Sequence, residues 1–242
     1  MANRPALLLL CVLLAASLAA ERIDFSIRYM GIKVACVTMD DSLSAGGGRL
    51  RVSARSTSFA SHLVQMDNVF TSRYRGDYLP DEYCKLVEQK DYTEDRVSCY
   101  NRQTGQAFRS SRIDRGRNLV YPITPTTRDF FSALYHIRRQ SADEGEVELD
   151  AAGTLWVGHY RLLEVERLKT SIGKVMARKV EITFTPMNDT PRQRSDMLTN
   201  NLVSRGAPLI FWFTDDDRRL PVRASFRMSP FAVNWVIEGV SP

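Results

Sequence analysis

Residues 22–29 read RIDFSIRY, and every second side chain is apolar. Ile23, Phe25, Ile27 and Tyr29 alternate with Arg22, Asp24, Ser26 and Arg28. A period of two places the apolar set on one face of an extended strand and the polar set on the other. The same rhythm returns in Leu50, Val52 and Ala54 among Arg49, Arg51, Ser53 and Arg55. It returns again in Leu220, Val222, Ala224, Phe226 and Met228, and closes the chain with Phe231, Val233, Trp235 and Ile237. Met30-Gly31 interrupts the first run, after which Ile32, Val34 and Cys36 resume it. Further strands are predicted over 68–74, 106–113, 146–151, 155–166 and 174–185. The stretch 209–213 (LIFWF) is apolar on both faces and predicts a central strand.

One segment departs from this period. Pro122 and Pro125 stop the extended pattern, and Thr126 and Thr127 precede Asp129 as a helix-start signal. Phe130, Leu134 and Ile137 then follow at helical spacing, predicting one helix over 127–140. Arg138 and Arg139 complement its negative C-terminal end. The polar stretch 188–205, with Pro191, is expected to be a loop holding at most one helical turn. About a dozen strands and one helix predict a mainly β protein. Its expected form is a single large curved antiparallel sheet or half-open β-barrel, with one amphipathic helix packed on or in it.

The N-terminus carries a different signal. Arg4 precedes an apolar run over 6–18, and Ser17, Ala19 and Ala20 close it before Glu21. A basic tip, a short apolar core and small residues at the exit read as a secretory signal peptide over 1–20, leaving one β-rich domain over 21–242. The run is shorter than the roughly 20 apolar residues of a transmembrane helix, so no membrane span is expected after cleavage. Cys11 lies inside the apolar run behind Leu8, Leu9 and Leu10, so no lipid anchor is expected. These features predict a soluble periplasmic protein, and export argues against nucleic acid despite a net charge of +5.

Cys36, Cys84 and Cys99 remain after the leader. A tight turn at Asp91-Tyr92 would set Leu86 opposite Val97 and Cys84 opposite Cys99. Directly opposed residues lie about 4.5–5.5 Å apart, within disulfide reach. A Cys84–Cys99 bridge is therefore expected, with Cys36 unpaired and buried.

No catalytic signature is present. The histidines, His62, His136 and His159, are widely spaced. No metalloprotease, nucleophile-elbow or phosphate-loop motif occurs. Gly46-Gly47-Gly48 joins two predicted strands as a flexible turn. Asp215, Asp216 and Asp217 lack the alternating ligand spacing of a calcium loop and read as a hairpin turn. No catalytic residue, metal or cofactor is assigned.

Two motifs carry a resemblance. Residues 127–139 (TRDFFSALYHIRR) resemble the D-x-x-S-x-x-Y-x-x-R helix of an uncharacterised exported bacterial family. That family is catalogued as domain of unknown function number three thousand one hundred and eight. Residues 211–222 (FWFTDDDRRLPV) are similar to its W-x-[ST]-D-D-x-R-R-x-P-V hairpin, through Trp212, Thr214, Asp215, Asp216, Arg218, Arg219, Pro221 and Val222. A weaker likeness covers the opening strand pair, 25–38. The resemblance implies an extracytoplasmic β protein and carries no catalytic residue across. The architecture is similar to half-open barrels that carry lipids or lipoproteins in the periplasm.

The expected function is a binding or carrier module for a lipid or other apolar ligand in a β groove. Phe130, Leu134, Phe211, Phe213, Phe226 and Trp235 are the candidate lining, with Phe231 beside them. The alternative is a structural or envelope-assembly protein that binds a protein partner along a sheet edge.

Overall fold

The alternating runs become a meander that begins in the middle of its own sheet. A computed structural model describes residues 20–44, 46–62, 65–188, 193–228 and 230–242. The predicted leader over 1–20, with Cys11, falls almost wholly outside the described residues, as does Pro191. From the centre, β1 (Ala20–Tyr29), β2 (Ile32–Ser44), β3 (Gly47–Ser56) and β4 (Met66–Arg75) run outward as antiparallel neighbours. They continue through β5 (Leu79–Gln89), β6 (Tyr92–Asn101), β7 (Gln106–Ser111) and β8 (Leu119–Pro122). The chain then crosses to the opposite edge, where β9 (Arg128–Asp129) leads into helix α1 (Phe130–Arg139). The return runs through β10 (Glu144–Ala151), β11 (Thr154–Thr170), β12 (Gly173–Pro186), β13 (Leu209–Thr214), β14 (Pro221–Met228) and β15 (Phe231–Ser241). There β15 pairs with β1.

β9 and β10 pair in parallel, with α1 as the crossover that a parallel pair requires. The result is one large mixed sheet whose edges are β8 and β9, not closed into a barrel. Side chains tie the open seam. Tyr121 of β8 donates to Asp150 Oδ2 of β10 at 2.5 Å, and Tyr100 donates to the same oxygen at 3.3 Å.

The helix starts later than 127 because Asp129 caps it. Asp129 Oδ1 accepts from the Phe131 and Ser132 amides, each at 3.1 Å. Most of α1 is buried, so the sheet wraps the helix as a plug. Phe131 packs on Phe70 of β4, ring centroids 5.1 Å apart. Phe130, Leu134 and Ile137 face Val147, Leu149, Ile182 and Phe184 around a void of only about 10 Å³. A second helix, α2 (Met197–Leu202), stands where at most one turn was expected, capped by Asp196.

Two phases differ from the alternation. A bulge between Ile27 and Arg28 pairs Ile27 with Ala35 but Arg28 with Lys33. The extra residue moves the inward phase of β2 onto Ala35, Val37 and Met39, so Cys36 is exposed rather than buried. In the β5–β6 hairpin the turn is Lys90-Asp91, one residue earlier than expected. Cys99 therefore faces Glu82 and Cys84 faces Val97. The two cysteines share a face only as diagonal neighbours, a relation that spans about 7–8 Å, beyond normal disulfide geometry. Both are free thiols, and burial, with Glu82 beside it, pushes Cys84 up to about 11.

The inward face of this hairpin is its polar one. Tyr92, Glu94, Arg96, Ser98 and Tyr100 of β6 point into the fold beside Lys85 and Arg109, while Leu86 faces out. The interior thus has an apolar half and a half that buries charged and hydroxyl groups. Glu94, for example, accepts from Tyr92 at 2.8 Å and from Ser111 at 2.9 Å.

Gly48 is required by a close approach rather than by turn flexibility. A Cβ built on it would meet the Tyr74 ring at 2.2 Å, and that ring is held by the Tyr74 hydroxyl donating to Asp41 at 2.5 Å. Gly48→Ala is expected to destabilise the protein by about 1–3 kcal/mol in urea unfolding, as overpacking does. An unchanged midpoint would show that Tyr74 moves aside at no cost.

Candidate functional site

The β1–β2 hairpin closes through Met30-Gly31, both at positive φ (53° and 80°), the backbone of a tight two-residue turn. Glycine takes this conformation freely, whereas methionine does so at a cost. The turn throws the Met30 side chain to the edge of an opening between the strand ends. After β3, Thr57 folds the chain back. Its amide donates to Val34 O at 2.9 Å, and its hydroxyl accepts from the Ala60 amide at 3.3 Å. That short helical turn buries Ala60 and exposes Phe59.

Between these segments lies a cavity of about 350 Å³. Its walls are Ile27, Tyr29, Ile32, Val34 and Ala35 from β1–β2, Phe226, Met228 and Val233 from β14–β15, and Met66 from β4. Met30, Phe59 and Ala60 border its mouth, and Met197 and Leu198 of α2 close one side. Ser56 and Asn201 are the polar residues of the lining. The Asn201 amide reaches the Met228 sulfur at 3.9 Å. Four methionines surround the space, and their unbranched thioether chains adapt to irregular apolar shapes.

The position of α2 depends on one buried cation. Lys85 Nζ donates to Ser195 Oγ at 2.9 Å, to Thr199 Oγ1 at 3.0 Å and to Asp196 Oδ2 in a short contact. Three donors meet three acceptors, so the ammonium is fully used. Burial pulls Lys85 down to about 8, with Asp196 opposing. Burial pushes Asp196 up, but Lys85 and the Thr199 amide outweigh it and hold the carboxyl at about 2. Ser195 and Lys85 thus sit with Asp196 in a buried ion-paired cluster that anchors α2.

The expected lining residues are spread through the fold. Phe226 lines the cavity. Phe130 and Leu134 lie on the plug. Phe211 and Phe213 stack on each other at 5.6 Å, and Trp235 packs on Phe25 at 6.1 Å, all in the buried interior. Phe231 is edge-on to Tyr29, a wall residue of the cavity, at 6.0 Å.

The hairpin motif is built around Asp216. Its Oδ1 accepts from Thr214 Oγ1 at 2.6 Å and from the Arg218 and Arg219 amides at 3.1 and 3.0 Å. Arg178 approaches Asp215 at 3.6 Å. Pro221 opens β14 opposite Phe213. Trp212 faces outward, donates to Glu166 at 2.6 Å and is covered by Lys179 and Arg223.

The two motifs meet. Arg138 of α1 donates to Arg218 O at 3.1 and 2.7 Å, and forks onto both carboxylate oxygens of Glu21 in β1 at 2.5 and 2.8 Å. Sequence reasoning did not find the methionines of the cavity. Met30, Met66, Met197 and Met228 are far apart along the chain, and Met30 and Met197 lie in segments read as a turn and a loop.

A family model described as "Protein of unknown function (DUF3108)" matches residues 24–230. No curated protein matches the chain. Among solved structures, a beta-barrel-like protein of domain of unknown function DUF1849 from Brucella abortus is similar at a TM-score of 0.60 and 9% identity. That match covers 93% of this chain and 98% of the other, and shows the fold alone. A protein from Bacteroides fragilis described as having a YmcC-like fold is similar at a TM-score of 0.36 and 8% identity, covering 92% and 95%.

Proposed function

The chain belongs to the DUF3108 family of proteins of unknown function, and on that premise we propose that it is an exported binding or carrier protein that takes an acyl chain or similar apolar ligand into the methionine-lined cavity. The observation that carries this reading is the cavity itself: about 350 Å³, apolar except for Ser56 and Asn201, and open at one end of the sheet. That size falls in the range of small-ligand pockets, about 300–1,000 Å³. The lining offers few hydrogen-bond partners, so it favours a ligand segment that needs none. Each methylene buried contributes about 0.8 kcal/mol. The residue 1–20 leader supports export, and no helix among the described residues is long and apolar enough to cross a membrane.

The test is titration of the leaderless protein with a fluorescent twelve-carbon fatty acid, beside Ala35→Phe, whose ring would occupy the cavity. Excluding two methylenes costs about 1.6 kcal/mol, so the variant should bind the probe roughly ten-fold more weakly. Circular dichroism checks that the variant is folded. Wild-type protein that ignores the probe, or a folded Ala35→Phe that binds it as well, contradicts the proposal.

A further inference from the structure

The cavity opens at a tip that the rest of the fold leaves bare. Met30 is 61% exposed, Ile32 54%, Phe59 71% and Phe231 45%. They come from three separate connections, yet Met30, Ile32 and Phe59 border one mouth, and Phe231 packs on Tyr29 beside it. Single exposed apolar residues are ordinary, whereas a cluster of this kind marks a contact surface.

The flank of this tip is basic. Lys33 follows Ile32, and Arg227 precedes Met228, each about one strand residue, roughly 3.3 Å, behind the apolar edge. Both are exposed, and neither forms an ion pair among the described residues. The charges close by include two opposed pairs, and the exposed Glu88 lies opposite Asp67 on the next strand. Arg28 bridges Glu238 at 3.5 Å, although Glu238 also feels Lys33, and Arg55 bridges Asp67 at 2.7 Å. Asp91 lies farther round, beside Lys90 in the groove that leads past Met197.

We infer that this tip docks on the surface of an anionic lipid bilayer. Met30, Ile32, Phe59 and Phe231 enter the boundary between headgroups and acyl chains, a layer that amphipathic surfaces penetrate by about 5–10 Å. Lys33 and Arg227 then meet the lipid phosphates. A second copy of the chain fits the same face poorly, because a two-fold contact would set these basic flanks against each other. The inference goes beyond ligand binding and stands on the exposed tip, whatever occupies the cavity.

The test is sedimentation of the leaderless protein with vesicles of phosphatidylglycerol and phosphatidylethanolamine, and with vesicles of phosphatidylcholine alone. Binding to the anionic vesicles is expected to be strong and to fall with salt. The double variant Lys33→Glu/Arg227→Glu should partition at least roughly ten-fold more weakly. Phe59→Ser should also weaken partitioning. Equal binding to both vesicle types, no binding to the anionic vesicles, or undiminished binding by the charge-reversed protein would overturn the inference. A dimer in analytical ultracentrifugation that Phe59→Ser dissolves would also overturn it. Titration with the soluble acyl probe without vesicles keeps the two readings apart. Probe binding without vesicle binding refutes only the docking, and the reverse refutes only the cavity ligand.

Discussion

Lys85→Ala is expected to lower the free energy of unfolding by about 3–5 kcal/mol, because it strands a buried carboxylate. Both side chains of the Lys85–Asp196 pair are essentially inaccessible. Without the ammonium, Asp196, Ser195 and Thr199 lose their shared donor, and α2 loses its tie to β5. The double variant Lys85→Met/Asp196→Asn removes both charges and keeps a capping side chain for α2, so it should recover most of the loss.

The pH dependence follows from Asp196. Its folded carboxyl, held at about 2, lies below the ordinary value of 3.8. A depressed carboxylate contributes stability that is present above the unfolded value and is lost as pH falls through the folded one. Wild-type protein should therefore lose this contribution between about pH 4 and pH 2, and the neutral double variant should lack it. Urea unfolding across that range measures both effects. A Lys85→Ala midpoint like that of the wild type would show that Lys85 does not anchor α2.

Arg138→Ala is expected to cost a similar amount, about 3–5 kcal/mol, since it breaks a buried pair and frees the Arg218 carbonyl at once. Arg138 joins three elements that are remote in sequence: the plug, the first strand and the β13–β14 turn. Arg138→Lys should restore only part of the loss, because an ammonium cannot fork onto Glu21 and reach Arg218 O together. Chemical denaturation of the two variants measures this. A loss under about 1 kcal/mol for Arg138→Ala would show that the clamp is dispensable.

Much of the sheet was legible because strands such as β1 and β14 bury apolar residues at every second position. Asp129 and the Phe130, Leu134 and Ile137 spacing likewise marked α1. The likeness of 127–139 and 211–222 to one family pointed to the two segments that Arg138 joins. Other features depend on partners that no local pattern reveals. β6 turns Glu94 and Arg96 inward and β5 turns Leu86 outward, the reverse of what hydrophobicity suggests. Lys85 is tolerable in the interior only because Asp196, 111 residues later, meets it. One bulged residue reversed the phase of β2 and carried Cys36 outward. A one-residue shift in the turn separated Cys84 from Cys99. The cavity is the extreme case, since its methionines are brought together by the closing of the meander.

The proposed binding function rests on occupancy of that cavity by an apolar chain. The most direct measurement is methyl NMR of protein labelled at its methionine methyl groups, titrated with a twelve-carbon fatty acid. The signals of Met30, Met66, Met197 and Met228 should shift together and saturate, while Met39, in the apolar core, and Met176, on the β11–β12 hairpin, stay in place. Saturating ligand that leaves those four unmoved, or that shifts Met176 instead, would contradict it.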